Sequence, residues 1–172
     1  MTVVTGRHRR PASPALQGAV VVACWLVVLA AAPRARTAGA VHDVALFVHL
    51  GAMVAGFGAV LLVDWFGLLW LAGRRTFADV LRTAQGAHVP IWAGFAGLLV
   101  SGLFLGLPAD LKSVAVLVVG LNGVYAGRLL HELSRHPEPP RALLARSAAV
   151  TVLSQLAWWT ALVLGYLTSR PG

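Results

Sequence analysis

Residues 41–73, VHDVALFVHLGAMVAGFGAVLLVDWFGLLWLAG, decide the fold of this chain. As one helix this stretch would be about 50 Å long at ~1.5 Å per residue, which exceeds the ~30 Å hydrocarbon core of a bilayer. Its apolar side chains occupy every face of the helix, as in helices that are embedded in lipid or fully buried. We therefore predict a transmembrane helix over about residues 43–64, followed by an aromatic segment at the membrane interface.

Further apolar runs lie on both sides of this stretch. Each is close to the ~20 residues that a spanning helix needs, and they cover about residues 15–32, 88–107, 113–130 and 147–168. The predicted fold class is therefore all-α: a polytopic transmembrane helix bundle of about five spans, forming a single domain over residues 15–168. No polar stretch is long enough to bury a core of its own.

The polar segments between and around the runs are short. Residues 1–14 are polar and basic and are predicted to be a disordered cytoplasmic tail, and residues 169–172 are a short tail. In the loop before the third run, Phe77, Val80 and Leu81 have helical spacing, which predicts a short amphipathic helix on the membrane surface.

The composition agrees with a membrane protein. Hydrophobic residues make up 58% and charged residues 12% of the chain, against about 45–50% and about 25% in soluble domains. The net charge of +8 comes from short basic clusters between apolar runs, which indicates membrane topology and excludes a nucleic-acid-binding surface. Cys24 is the only cysteine, so no intrachain disulfide and no thiol-based metal site is predicted.

The distribution of basic residues predicts the orientation. With the N-terminus in the cytoplasm and the C-terminus outside, the outer segments hold four basic residues: Arg34, Arg36, Lys112 and Arg170. The inner segments then hold the other ten: Arg7, Arg9, Arg10, Arg74, Arg75, Arg82, Arg128, Arg135, Arg141 and Arg146. This imbalance satisfies the positive-inside rule.

Origin and processing can also be inferred. Lys112 is the only lysine, and the chain is rich in Ala, Gly, Val and Leu, a bias typical of a high-GC bacterium, so we predict the bacterial plasma membrane as its location. The alternative to a retained first span is a cleaved signal peptide, because Ala38-Gly39-Ala40 has the small residues of a cleavage site.

Polar side chains within the spans are the candidate functional residues, because burying them in lipid is costly. Counting residues along each helix places His49 and Ser101 at a similar depth, which predicts a hydrogen bond from His49 to Ser101 or to a carbonyl group, with a metal, haem or proton-relay role for His49 as the alternative. The same counting predicts an Asn122–Gln155 hydrogen bond near the midplane, with substrate binding as its alternative.

The inner face holds a second set of polar residues. Asp64 closes a long apolar run, and Arg128 lies at about the same depth on another helix, which predicts an Asp64–Arg128 salt bridge. His88 and His131 come from two helices at one depth, the minimum for bis-histidine ligation of a b-type haem. Residues His49, His88 and His131 are thus the candidate cofactor ligands, and haem b is the candidate cofactor.

Pairs of small residues predict where helices approach closely. Gly51 and Ala55, and likewise Ala52 and Gly56, lie four apart on the second span, and Gly123 and Gly127 do so on the fourth. Such pairs let helix backbones come together in a membrane, where no hydrophobic force drives association.

Several short motifs carry a resemblance to known proteins. The runs Val48-His49-Leu50-Gly51-Ala52, Val63-Asp64-Trp65-Phe66-Gly67-Leu68, Ile91-Trp92-Ala93-Gly94, Leu99-Val100-Ser101-Gly102, Leu121-Asn122-Gly123 and Ser154-Gln155-x-x-Trp158-Trp159 resemble a group of small, uncharacterised bacterial integral membrane proteins over residues 41–168. More remotely, a histidine with small residues early in a span is similar to CopD-type and cytochrome b561-like membrane proteins. That resemblance implies a b-type haem or copper site in a helix bundle, with His49 as a ligand.

Three classes of function are compatible with these features. The chain has no catalytic serine or cysteine motif, no phosphate-binding glycine loop and no paired acid–base carboxylates, so we predict a non-enzymatic membrane component or a subunit of a larger complex. Its expected partners are the lipid bilayer and a membrane protein or a second copy of the chain. The alternatives are a haem- or metal-binding redox protein and a small oligomeric transporter that uses Asp64, Asn122 and Gln155.

Overall fold

The computed structural model describes residues 13–106, 110–136 and 138–168. Its five helices are α1 (Pro14–Ala35), α2 (Ala40–Leu71), α3 (Phe77–Leu105), α4 (Leu111–Leu133) and α5 (Arg141–Thr168). These described ranges contain no strand, and all five helices are long and apolar enough to cross a membrane. The predicted all-α class and the five spans are confirmed, and the orientation of the termini stays a prediction.

Short polar side chains begin three of the helices. The Ser13 hydroxyl accepts a hydrogen bond from the Leu16 backbone N–H at 3.2 Å, and the Asp110 carboxylate accepts one from Ser113 N–H at 3.0 Å. At the start of α3, Thr76 and Asp79 form a capping box, in which each side chain accepts a hydrogen bond from the backbone N–H of the other residue. These side chains satisfy N–H groups that the first turn of a helix leaves without partners.

Helix α3 is longer than the predicted third span. The surface helix expected around Phe77, Val80 and Leu81 is the first part of α3, and the helix continues without a break through Pro90. The capping box at Thr76 starts the helix at a point in the sequence before the apolar run begins. Phe77 and Leu81 then pack against a small buried cluster at the ends of α4 and α5, which holds this first part in place.

The closest helix contact joins α2 and α3. A Cβ atom added at Gly94 would lie 2.6 Å from both the Ala52 carbonyl oxygen and the Gly56 Cα atom, so the two backbones touch. Of the two small-residue pairs predicted on α2, Ala52 and Gly56 form this contact. Gly51 has nothing within 4 Å of an added Cβ and lies on the outer surface.

The remaining helices complete the bundle. Helices α4 and α5 form a second hairpin, and α1 packs against α3 and α4, where the Trp25 indole N–H donates to the Ser113 carbonyl oxygen at 2.8 Å. The buried core is shared by all five helices, and its largest side chain is Trp158, which is 2% exposed. The core consists of Val21, Phe57, Val60, Phe95, Leu98, Leu99, Val116, Val119, Val124, Ala157 and Trp158.

The outer surface of the bundle is apolar. Large side chains such as Phe47, Val54 and Val89 are 77%, 74% and 73% exposed. A soluble protein rarely exposes an apolar surface of this extent, whereas lipid tails accept it without cost. The exposed side chains therefore support an integral membrane protein independently of helix length.

Candidate functional site

His49 and Ser101 meet where α2 and α3 touch. The His49 Nδ1 atom lies 2.9 Å from the Ser101 Oγ atom, and both side chains are buried. The Ser101 hydroxyl donates its only proton to the Gly97 carbonyl oxygen at 2.5 Å, so its oxygen accepts from His49, whose Nδ1 therefore carries the proton. The hydrogen bond predicted between His49 and Ser101 is confirmed.

The space beside His49 is small. A cavity of about 10 Å³ adjoins it, lined by His49, Met53, Phe95, Lys112 and Trp158 among others. This volume is about that of one water-sized probe, so no macrocycle fits beside the histidine. The arrangement fits an interhelical hydrogen bond and leaves no room for a haem at His49.

Asp64, Gln155 and Trp159 form a hydrogen-bonded chain between α2 and α5. The Trp159 indole N–H donates to Gln155 Oε1 at 3.0 Å, and Gln155 Nε2 donates to Asp64 Oδ2. An indole N–H can only donate, so Trp159 fixes which end of the Gln155 amide is oxygen. The amide NH₂ group therefore faces Asp64, and Asp64 is the acceptor.

The predicted Asp64–Arg128 salt bridge is wrong. Both residues lie in the described ranges, yet the only ion pair found there joins Arg82 to Asp79 on α3 at 2.6 Å. Arg128 is exposed on the surface of α4, and α4 packs against α5 and α1 rather than against α2. The Asp64 side chain turns towards α5 instead, where it accepts a hydrogen bond from Gln155.

The predicted Asn122–Gln155 hydrogen bond is also wrong. Asn122 Nδ2 donates instead to the Val150 carbonyl oxygen at 3.0 Å, which ties α4 to the backbone of α5. Gln155 lies five residues further along α5, about 7.5 Å at ~1.5 Å per residue, and its amide turns towards α2. Asn122 and Gln155 are thus both interhelical groups, as predicted, with different partners.

A large cleft opens beside Asp64 and Gln155. It has a volume of about 1080 Å³ and lies between the C-terminal halves of α2 and α4 and the N-terminal halves of α3 and α5. The backbones of α2 and α5 do not pack closely against each other, and side chains of both helices line the cleft. Most of the wall is apolar, and its polar members are Asp64, Ser147, Thr151 and Gln155. We call this space the α2–α5 cleft.

A smaller cavity of about 140 Å³ adjoins the α2–α5 cleft. Asp64 and Thr151 line both spaces, and the smaller one adds the polar side chains His88, Asn122 and Ser154. Asp64 therefore lies where the two spaces meet, and the smaller cavity is the more polar of the two.

The three candidate haem ligands do not share any of the spaces described above. His88 lines the smaller cavity and packs edge-on against Trp92, with ring centroids 6.2 Å apart. His131 is exposed and lines neither the α2–α5 cleft nor the smaller cavity, while His49 hydrogen-bonds to Ser101, which lies 13 residues, or about 20 Å, from His88 along α3. None of the three spaces described above is lined by two of these histidines, so none of them forms a bis-histidine haem site.

Comparisons with protein-family models, with curated proteins and with solved structures each give no match. The resemblances described above therefore stay expectations. The geometry of the α2–α5 cleft and its polar chain is the remaining basis for assigning a function.

Sequence reasoning missed two members of the site. Trp159 orients Gln155, and the i, i+4 spacing of Gln155 and Trp159 on one helix face is the signal that could have revealed it. Thr151 lines both spaces and lies one turn before Gln155 on the same face. Both residues can be recognised from the sequence when the residues of α5 are grouped by the helix face they share, in addition to their depth along the helix.

Proposed function

We propose that this chain is a non-enzymatic integral membrane protein that binds a membrane-dissolved, largely apolar ligand in the α2–α5 cleft. One observation carries the proposal: a cleft of about 1080 Å³ with a mostly apolar wall opens between helices that face lipid. Ligand sites in proteins are of this size and have an apolar lining with a few polar groups. The four polar side chains of the wall would orient the ligand.

The position of the cleft indicates how a ligand would enter. Four exposed arginines, Arg74, Arg75, Arg141 and Arg146, lie close in sequence to residues that line the cleft, whereas the lining residues themselves are mostly apolar. An apolar molecule partitions into the hydrocarbon region, so it would enter sideways from the bilayer. If the predicted orientation holds, the cleft opens to the cytoplasmic leaflet.

Photolabelling tests the proposal. A long-chain alcohol that carries an alkyl diazirine would be added to the protein in lipid nanodiscs, and labelled peptides would be mapped by mass spectrometry. We expect labels on cleft residues to saturate at low probe concentration, while labels on outward-facing residues such as Phe47 and Val54 increase linearly. Equal, unsaturable labelling of both surfaces would contradict the proposal.

A matched pair of variants supplies the control. Ala126→Phe places a large side chain in the cleft wall, and Ala55→Phe places the same side chain on the exposed surface of α2. Only Ala126→Phe should abolish saturable labelling. Saturation that depends instead on a co-purified protein, or on a second copy of the chain, would assign the cleft to a protein partner.

A small oligomeric transporter is the second candidate. The observation that favours it is the position of Asp64 in the walls of both the α2–α5 cleft and the smaller cavity, which places one carboxylate on a path between two spaces. Intramembrane carboxylates commonly mark such paths. Uptake of a ligand into proteoliposomes that is lost with Asp64→Asn would support a carrier, and a strictly monomeric protein would contradict it.

A further inference from the structure

Asp64 is the only charged side chain in the wall of the α2–α5 cleft. The chain has a net charge of +8, yet none of its described arginine or lysine residues lines this space. The wall is therefore locally negative within a strongly positive protein. A ligand that matches the wall would be apolar along its length and positively charged at one point.

One oxygen atom of Asp64 has no partner among the described residues. Oδ2 accepts the hydrogen bond from Gln155, and Oδ1 has no hydrogen-bond or ionic partner in the described part of the chain. No fully buried, unsatisfied side-chain oxygen occurs among these residues, so Oδ1 is accessible, and Asp64 lines both the α2–α5 cleft and the smaller cavity. Gln155, held by Trp159, fixes the carboxylate in this position.

An ionised carboxylate in an apolar environment requires a compensating positive charge or a proton. Among the described residues no three His, Cys, Asp or Glu side chains lie close enough together to hold a metal ion, and Asp64 is the one residue of these four types in the wall of the cleft. The aromatic rings of Trp65, Trp70 and Phe77 also line the cleft, and such rings attract ammonium groups.

From this juxtaposition, we propose that the α2–α5 cleft binds a lipophilic ammonium compound. Its positively charged head pairs with Asp64 Oδ1, and its apolar chain occupies the rest of the cleft. The inference rests on the proposed function, since it specifies the ligand of the same site. The exposed arginines repel such a cation at the aqueous end, so it enters through the gap between α2 and α5.

The test uses two diazirine probes of one shape. One is an alkyltrimethylammonium, and the other is its uncharged carbon isostere, in which a quaternary carbon replaces the nitrogen. Each is titrated against the full chain in nanodiscs of zwitterionic lipid, and the half-saturating concentration of cleft labelling is measured. We expect the ammonium probe to saturate at a concentration roughly tenfold lower than the isostere, because a desolvated charge pair adds to apolar burial.

Two variants test whether the difference in half-saturating concentration between the two probes depends on Asp64. Asp64→Asn keeps an oxygen that accepts from Gln155, so the chain of hydrogen bonds persists while the charge is lost. Asp43→Asn is the matched control, because Asp43 lies exposed in the first turn of the same helix. Only Asp64→Asn should remove the preference for the ammonium probe, leaving the isostere unaffected.

The outcomes separate this inference from the proposed function. Saturable cleft labelling by both probes at equal concentrations, or an ammonium preference that survives Asp64→Asn, would overturn the inference and leave the proposed function standing. Absence of saturable labelling by either probe in the unmodified protein would overturn both. If Asp64→Asn fails to fold, Thr151→Lys in its place adds a positive charge to the wall of the cleft, and the ammonium preference should then be lost.

Discussion

Substituting Gly94 with alanine tests the contact between α2 and α3 directly. An added Cβ atom would lie 2.6 Å from the Ala52 carbonyl oxygen and from Gly56 Cα, and 2.7 Å from Gly56 N. All three atoms belong to the backbone, so no side chain can rotate away. Ordinary van der Waals contact begins near 3.4 Å, so the helices would have to separate by about 0.8 Å at this point.

The magnitude follows from that separation. A gap of 0.5–1 Å removes roughly a quarter to a half of the dispersion energy of the atoms that face it, and overpacked contacts typically cost about 1–3 kcal/mol. Alanine also gains about 0.8–1 kcal/mol of helix propensity over glycine, which masks part of the loss. Gly51→Ala is the control, because it gives the same gain in helix propensity while its added Cβ atom has no other atom within 4 Å. The difference between the two variants should therefore be about 1–3 kcal/mol.

Reversible unfolding in mixed micelles measures this difference. The protein would be titrated with a denaturing detergent, and helix content would be followed by far-ultraviolet circular dichroism for both variants. Gly94→Ala should unfold at a lower detergent fraction than Gly51→Ala. Equal free energies of unfolding, within about 0.5 kcal/mol, would refute the close approach of α2 and α3.

Further predictions concern the polar pairs, the cofactor and the topology. His49→Ala and Ser101→Ala should show a coupling free energy of about 0.6 kcal/mol in a double-mutant cycle of unfolding. The effects of Asn122→Leu and Gln155→Leu on the free energy of unfolding should be additive within about 0.5 kcal/mol, because the two side chains have separate partners. A larger coupling would instead support a direct Asn122–Gln155 hydrogen bond. Dithionite reduction should leave the absorption spectrum without the α and β bands of a b-type haem. In a Cys24→Ala background, Ser134→Cys should react with an impermeant maleimide only from the cytoplasmic side.

The fold could be predicted because each apolar run of about 20 residues indicates a helix that lies in lipid. Helix ends were less predictable, since they depend on local capping rather than on hydropathy. Thr76 and Asp79 begin α3 well before its apolar run, and α2 continues to Leu71 beyond the predicted span. A polar or interfacial sequence can remain helical when a cap and a neighbouring helix support it.

The sequence predicted most residues of the candidate site, but it predicted few of the hydrogen bonds between them. His49 and Ser101 lie on consecutive helices joined by a short turn, so counting depth along the two helices was sufficient to pair them. Asp64 and Gln155 lie on α2 and α5, whose relative rotation depends on every helix between them. Depth can be counted from the sequence, whereas the direction of a side chain around its helix requires the packed bundle.

The packing of α1 has a consequence for how the protein is made. Trp25 bonds to Ser113, 88 positions later, and α1 packs mainly against α3 and α4 rather than against α2, its neighbour in sequence. At synthesis rates of ~5–20 residues per second, about 4–18 s would pass between the synthesis of Trp25 and that of its partner Ser113. Helix α1 is the most apolar of the five spans, whereas α5, whose partner α4 is already in place when it emerges, is the least apolar. The helix that is synthesised first is thus the one best able to remain in lipid without a partner, and the helix that is synthesised last is the one least able to do so.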